Sequence, residues 1–122
     1  MAWDIDYSFI EDWLDKQDAQ TIQHMEVVLN VLCEQGPNLG RPLVDRIKGS
    51  RIHNLKELRI VTEGRGEYRI LFVFDPDRRA VLLVAGDKSK GKNNSLIWFG
   101  WYRKAVTLAE RRYAEYLKGR SV

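Results

Sequence analysis

Three strand-like runs follow one another in the middle of the chain: LKELRIV at 55–61, EYRILFVF at 67–74 and AVLLVAG at 80–86. Only TEGRG and DPDRR separate them, and both hold residues that reverse a chain tightly. Connections this short force antiparallel neighbours, because a parallel pair needs a crossover of a dozen residues or more. The chain is therefore committed to a three-stranded antiparallel meander, and the rest must pack on it.

The flanking segments supply helices. AWDIDY at 2–7 alternates Trp3, Ile5 and Tyr7 against Asp4 and Asp6, the period of a short strand with one buried face. Ser8-Phe9-Ile10-Glu11 has the capping-box form, and Phe9, Ile10, Trp13 and Leu14 share one face of a helix over about 9–16. Asp18 is placed to cap a second helix, along which Ile22, Met25, Leu29, Leu32 and Cys33 recur at helical spacing until Gly36-Pro37 ends it. Periodicity disappears in NLGRPLVDRIKGSRIHN, 38–54, which reads as a basic loop with at most a turn of helix. DKSKGKNNS at 87–95 reads as a second basic loop, and helical spacing returns from Leu96 to Leu117.

With 122 residues this order predicts one α+β domain over 1–122: a small antiparallel sheet, two N-terminal helices packed on one face, and a C-terminal helix. The other sheet face is expected to be open for function. No run approaches the roughly 18 apolar residues of a membrane span, and MAWDIDYS does not read as a secretory signal, so the expected location is cytoplasmic, with no membrane partner. The single cysteine, Cys33, lies inside an apolar helical pattern and reads as packing.

Charge is unevenly distributed. Residues 1–34 hold eight Asp/Glu against one Lys, whereas 35–122 hold nineteen Lys/Arg against nine Asp/Glu. The basic part would attract a polyanion. Strand alternation sets Tyr68, Ile70, Phe72 and Phe74 on one side, and Arg69, Leu71 and Val73 on the other. It likewise groups Glu57 with Arg59, so Arg59 and Arg69 are expected near each other on the less apolar face. Two readings follow: the guanidiniums brace the sheet by pairing with Glu57, or they hold an anion. Company from the basic loops, including Arg51, Lys56, Lys88, Lys90 and Lys92, favours a phosphodiester. His53 is placed to touch phosphate or shuttle a proton, and Trp98 and Tyr102 to stack on a base, while Trp101 reads as packing. No Ser/His/Asp set, P-loop, HExxH or CxxC is present, nor a carboxylate cluster spaced for magnesium, so neither a metal nor another cofactor is expected.

The run NLKELRIVTEGRGEYRILFVFDPDRRAVLLVAGDKSK, with GPNLGRPLVD at 36–45 before it, resembles the RelE/HigB superfamily of type II toxin–antitoxin toxins, and most of all its HigB branch. The shared pattern is LxELR, a turn, YRIxF, an aliphatic strand, a lysine-bearing loop and a terminal helix. The resemblance implies a RelE-like fold and a ribosome-dependent mRNA endonuclease. In that chemistry the ribose 2′-OH attacks the adjacent phosphate without a metal, and a cognate antitoxin holds the toxin inactive.

It also implies that Arg69 and Arg59 match the family's strand arginines and that Lys88 matches a loop cation, with Lys90 a weaker match. Glu57 stands where relatives carry a strand lysine, which leaves the proton acceptor and donor open. The implied antitoxin carries a helix-turn-helix, and the toxin–antitoxin complex binds operator DNA. Two other functions fit the same residues: a ParE-like toxin that inhibits DNA gyrase without cutting RNA, and a non-enzymatic basic module that binds nucleic acid or protein. The acidic N-terminal third is expected to sit away from the Arg59/Arg69 face, or to contact a basic segment of the antitoxin.

Overall fold

A computed structural model describes residues 2–62, 66–88 and 95–120, without the side chains of 95–98. The elements are β1 (Asp4–Asp6), a 3-10 turn (Ser8–Ile10), α1 (Glu11–Asp15), α2 (Ala19–Gln35), a second 3-10 turn (Gly36–Asn38), β2 (Val44–Arg46), β3 (Lys56–Thr62), β4 (Gly66–Phe74), β5 (Arg79–Asp87) and α3 (Ser95–Arg120). The expected α+β class and the β3–β4–β5 meander are present.

The sheet has five strands in the order β1-β5-β4-β3-β2. β1 joins β5 in parallel, which makes the sheet mixed, and β2 extends the other edge antiparallel to β3. β2 corrects the reading of 38–54 as loop. Its three residues are too few for a periodic signal, yet Val44 is buried opposite Leu58 and fixes the register.

Local rules explain the helix ends. Asp18 caps α2 as expected, its Oδ1 accepting from the Thr21 amide at 2.8 Å. The capping box at Ser8 does not form; instead Asp6 Oδ1 accepts from the Ser8 amide and hydroxyl at 3.1 and 2.7 Å. Gly36 ends α2 with φ +56, and a Cβ there would sit 2.3 Å from the Trp3 indole nitrogen. Only glycine meets both demands.

The sheet divides two cores. On one face Met25 and Leu32 of α2 pack with Ile10 against Leu58, Ile60, Ile70, Phe72 and Leu82. On the other, Ala105 and Ala109 of α3 pack against Leu55, Leu71, Val73, Val81 and Leu83. The expectation of an open second face is thus corrected: α3 covers it, and two alanines one turn apart let the helix come close. A register shift opposite Leu71/Phe72 leaves Leu83 of β5 as the extra residue, and its carbonyl accepts from Arg112 Nη1 at 2.6 Å.

At 26 residues α3 is about 39 Å long, enough to run past both ends of the strands. Near its C-terminus the Tyr116 hydroxyl donates to the buried Asp75, whose other oxygen accepts from the Asp77 and Arg79 amides at 2.9 Å each. Its N-terminal half reaches the β3–β4 pair, where the charged residues lie. β1 of the acidic segment lies at the sheet edge, with β5 and β4 between it and β3, while Trp13 of α1 packs edge to face on Tyr68 of β4, on the sheet side opposite Arg69.

Candidate functional site

Register builds the site. Arg59 of β3 faces Arg69 of β4, which faces Gly86 of β5; one row along, Asp45 of β2 faces Glu57 of β3 and Glu57 faces Leu71. Directly opposed like charges repel, so two arginines at one cross-strand position require carboxylates beside them. The chain supplies them in alternation. Arg41 Nη2 donates to Asp45 Oδ2 at 3.0 Å, and Arg59 Nη2 to the same oxygen at 3.1 Å. Arg59 Nη2 also lies 3.6 Å from Glu57 Oε2, and Arg69 Nε lies 3.2 Å from Glu57 Oε1.

Exposure falls along this row. The side chain of Arg41 is 77% exposed, that of Arg59 36% and that of Arg69 10%. Arg69 also donates from Nη1 to the Tyr68 carbonyl at 3.1 Å. Arg59 Nε is buried and has no hydrogen-bond partner among the described residues. An unmade donor in such a place costs about 1–3 kcal/mol. The partly exposed Arg59, between the open Arg41 and the buried Arg69, is therefore the guanidinium that keeps an unpartnered donor among the described residues.

Helix α3 closes the inner end. The Tyr102 hydroxyl donates to Glu57 Oε1 at 2.5 Å, and the Trp101 and Tyr102 rings meet edge to face at 5.0 Å. Trp101 lies on Gly86, where a Cβ would come within 2.5 Å of the indole, so the glycine is what admits the ring beside Arg69. Burial, and then the hydrogen bond to Glu57, push the Tyr102 hydroxyl well above the usual tyrosine range, while Arg69 opposes them. Asp45 moves the other way: the Arg41 hydrogen bond, followed by the Arg46 amide, holds its carboxyl below the ordinary range.

Of the residues singled out in the sequence, Arg59, Arg69, Glu57 and Tyr102 come together. Tyr102 meets the carboxylate through its hydroxyl rather than presenting an open ring. Lys88 follows β5 directly and is half-buried. Lys56 faces the opposite side of the sheet, 5.4 Å from the Phe74 ring. His53 is exposed and lines a separate surface groove with Arg46, Lys48 and Ser50. Arg51 is exposed, and its amide is held by Glu110 of α3 at 2.7 Å. Lys90, Lys92 and most of their loop lie outside the described residues, as does the Trp98 side chain. Sequence reasoning missed Arg41 and Asp45; the only signal for them was the Leu-Val-Asp-Arg alternation that makes β2. Among the described residues no group of three His, Cys, Asp or Glu is disposed to hold a metal ion.

A family model described as Phage derived protein Gp49-like matches residues 12–114. Over 117 residues the chain is 43% identical to a Mycobacterium tuberculosis protein named "Putative toxin HigB2", covering 96% of this chain and 55% of that protein. Over 108 residues it is 35% identical to "Putative toxin HigB3" of the same organism, covering 88% of this chain and 87% of that one. The chain thus spans little more than half the length of the first relative and most of the second.

Proposed function

The chain belongs to the Gp49-like family of phage-derived proteins, and from that premise we propose that it is a toxin of a type II toxin–antitoxin system, in the HigB branch of the RelE/HigB superfamily, that cuts mRNA on the ribosome. Its likeness to two proteins named as HigB toxins supports the class. The observation that carries the chemistry is Arg59: a guanidinium one-third exposed, with a buried Nε that lacks an acceptor, beside a second guanidinium. A non-bridging phosphate oxygen would gain charge-assisted bonds at the exposed part of that guanidinium.

In the reaction the ribose 2′-oxygen forms a bond to the adjacent phosphorus, the P–O5′ bond breaks, and the 5′-oxygen leaves with a proton, giving a 2′,3′-cyclic phosphate. The 2′-OH proton passes to a base. Arg59 stabilises the charge that grows on the phosphate oxygens, the term expected to dominate where the protein supplies no nucleophile. Arg69 acts from behind Glu57 and adds its cation as the phosphate draws near. Tyr102, kept protonated past neutral pH, holds the carboxylate in place. Lys88 is a further cation toward the strand. The partners are ribosome-bound mRNA in the cytoplasm and an antitoxin with a helix-turn-helix.

One observation favours a second reading. Glu57 neutralises Arg69 in a pair that is nine-tenths buried, as a structural brace would, and a ParE-like toxin that inhibits DNA gyrase needs no free catalytic cation. Purified protein separates the two. An RNase on the ribosome cuts mRNA in a translating extract and leaves gyrase supercoiling untouched, and the reverse result would replace the first reading with the second.

A further inference from the structure

Helix α3 sets Ala105, Ala109, Trp101 and Tyr102 against the sheet. Its opposite side presents Arg103, Lys104, Thr107 and Arg111, all exposed, along a shallow groove of about 580 Å³ that begins at Gly100. Offsets of three, four, seven and eleven from Gly100 place these residues on one helix face.

The three cations have no ion-pair partner among the described residues. Glu110 is the one acid between 95 and 114, and it turns the other way to accept from Ser50 Oγ and the Arg51 amide. Like charges a turn apart repel, and no ion pair among the described residues accounts for this face.

Two neighbours indicate what it would hold. A Cβ at Gly100 would meet nothing within 4 Å, so packing does not require glycine there, although glycine is a poor helix former. What it provides is bare backbone at the mouth of the groove. Phe99, one turn before Arg103, is 65% exposed. Cations beside an exposed ring form the stacking-and-phosphate surface that suits single strands; an acidic peptide would have no use for the ring.

We propose that this outer face of α3 binds single-stranded RNA, with a base on Phe99 and phosphates on Arg103, Lys104 and Arg111. The inference rests on the mRNA reading above and deepens it: the strand that reaches Arg59 continues along the outside of the helix whose inside closes the site.

Fluorescence anisotropy with a short labelled oligouridine across a salt series tests it. Arg103→Ala/Lys104→Ala/Arg111→Ala is expected to make the slope of log affinity against log salt shallower by about 2, from roughly 0.7 per lost phosphate contact. Phe99→Ala is expected to weaken binding by about 5- to 150-fold. Circular dichroism confirms that both variants fold. A triple variant with wild-type slope and affinity overturns the proposal. So does polyglutamate that displaces the RNA as well as unlabelled oligouridine does, which assigns the face to an acidic protein. The outcome is separable from the toxin reading: protein that binds RNA through α3 and cuts no mRNA keeps the groove and loses the nuclease.

Discussion

Arg69 Nε lies 3.2 Å from Glu57 Oε1, across the β3–β4 pair, and both side chains are about nine-tenths removed from solvent. In that setting deleting Glu57 takes the carboxylate from a buried Arg69, whereas deleting Arg69 leaves Glu57 with Arg59 and the Tyr102 hydroxyl. The site therefore has an inner, structural half and an outer half at Arg59, and the two respond differently to mutation.

The inner half gives a double-mutant cycle. Glu57→Ala should cost about 3–5 kcal/mol in urea unfolding because it strands Arg69. Glu57→Ala/Arg69→Met should cost less than the sum of the single changes, with a coupling of more than about 1 kcal/mol. Strict additivity would show that the pair is not a unit.

Tyr102 gives a pH dependence. Its folded pKa is raised above the ordinary value of about 10, so at alkaline pH the unfolded chain releases this proton first and holds fewer protons than the native state. The stability is present below about pH 10 and is lost as pH rises further. Tyr116, raised by burial and by its bond to Asp75, adds to the same loss. Melting temperature followed from neutral to alkaline pH should fall less steeply in Tyr102→Phe than in the wild type. Parallel curves would contradict the assignment.

Gly86 tests how the helix closes the site. An alanine Cβ would press 2.5 Å from the Trp101 indole, so Gly86→Ala should displace the ring and α3 with it. A destabilisation of about 1–3 kcal/mol and a shifted tryptophan emission maximum are expected. Wild-type emission and stability would mean that the ring does not rest on the sheet.

How much of this was legible in the sequence depends on range. The meander, the split of Arg69 and Glu57 from Ile70 and Phe72, and the Asp18 cap follow from period-2 alternation and local chemistry, and all are present. β1 against β5 is a pairing across some seventy-five residues, and no local pattern encodes it. β2 is three residues long with one buried side chain, so Asp45, whose role depends on that register, stayed hidden with it. The open face was misjudged for a related reason. α3 buries small Ala105 and Ala109 on the sheet, and alanines carry little signal of which face they cover.

The outer half predicts a separation of activity from stability. Arg59→Ala should leave the urea midpoint close to wild type, because its ion pairs are partly exposed and screened. Arg69→Ala should lower stability and activity together. Equal effects of the two on stability would remove the distinction between inner and outer guanidinium.

Stabilisation of a reacting phosphate by the Arg59 guanidinium is read out by primer extension on a defined mRNA in a translating extract. Wild-type protein should generate new 5′ ends only when ribosomes engage the message, and Arg59→Ala should reduce their yield by about 100-fold, the scale of losing one charge-stabilising donor. Intact message with the wild type, or undiminished cleavage by folded Arg59→Ala, would rule out that role for Arg59.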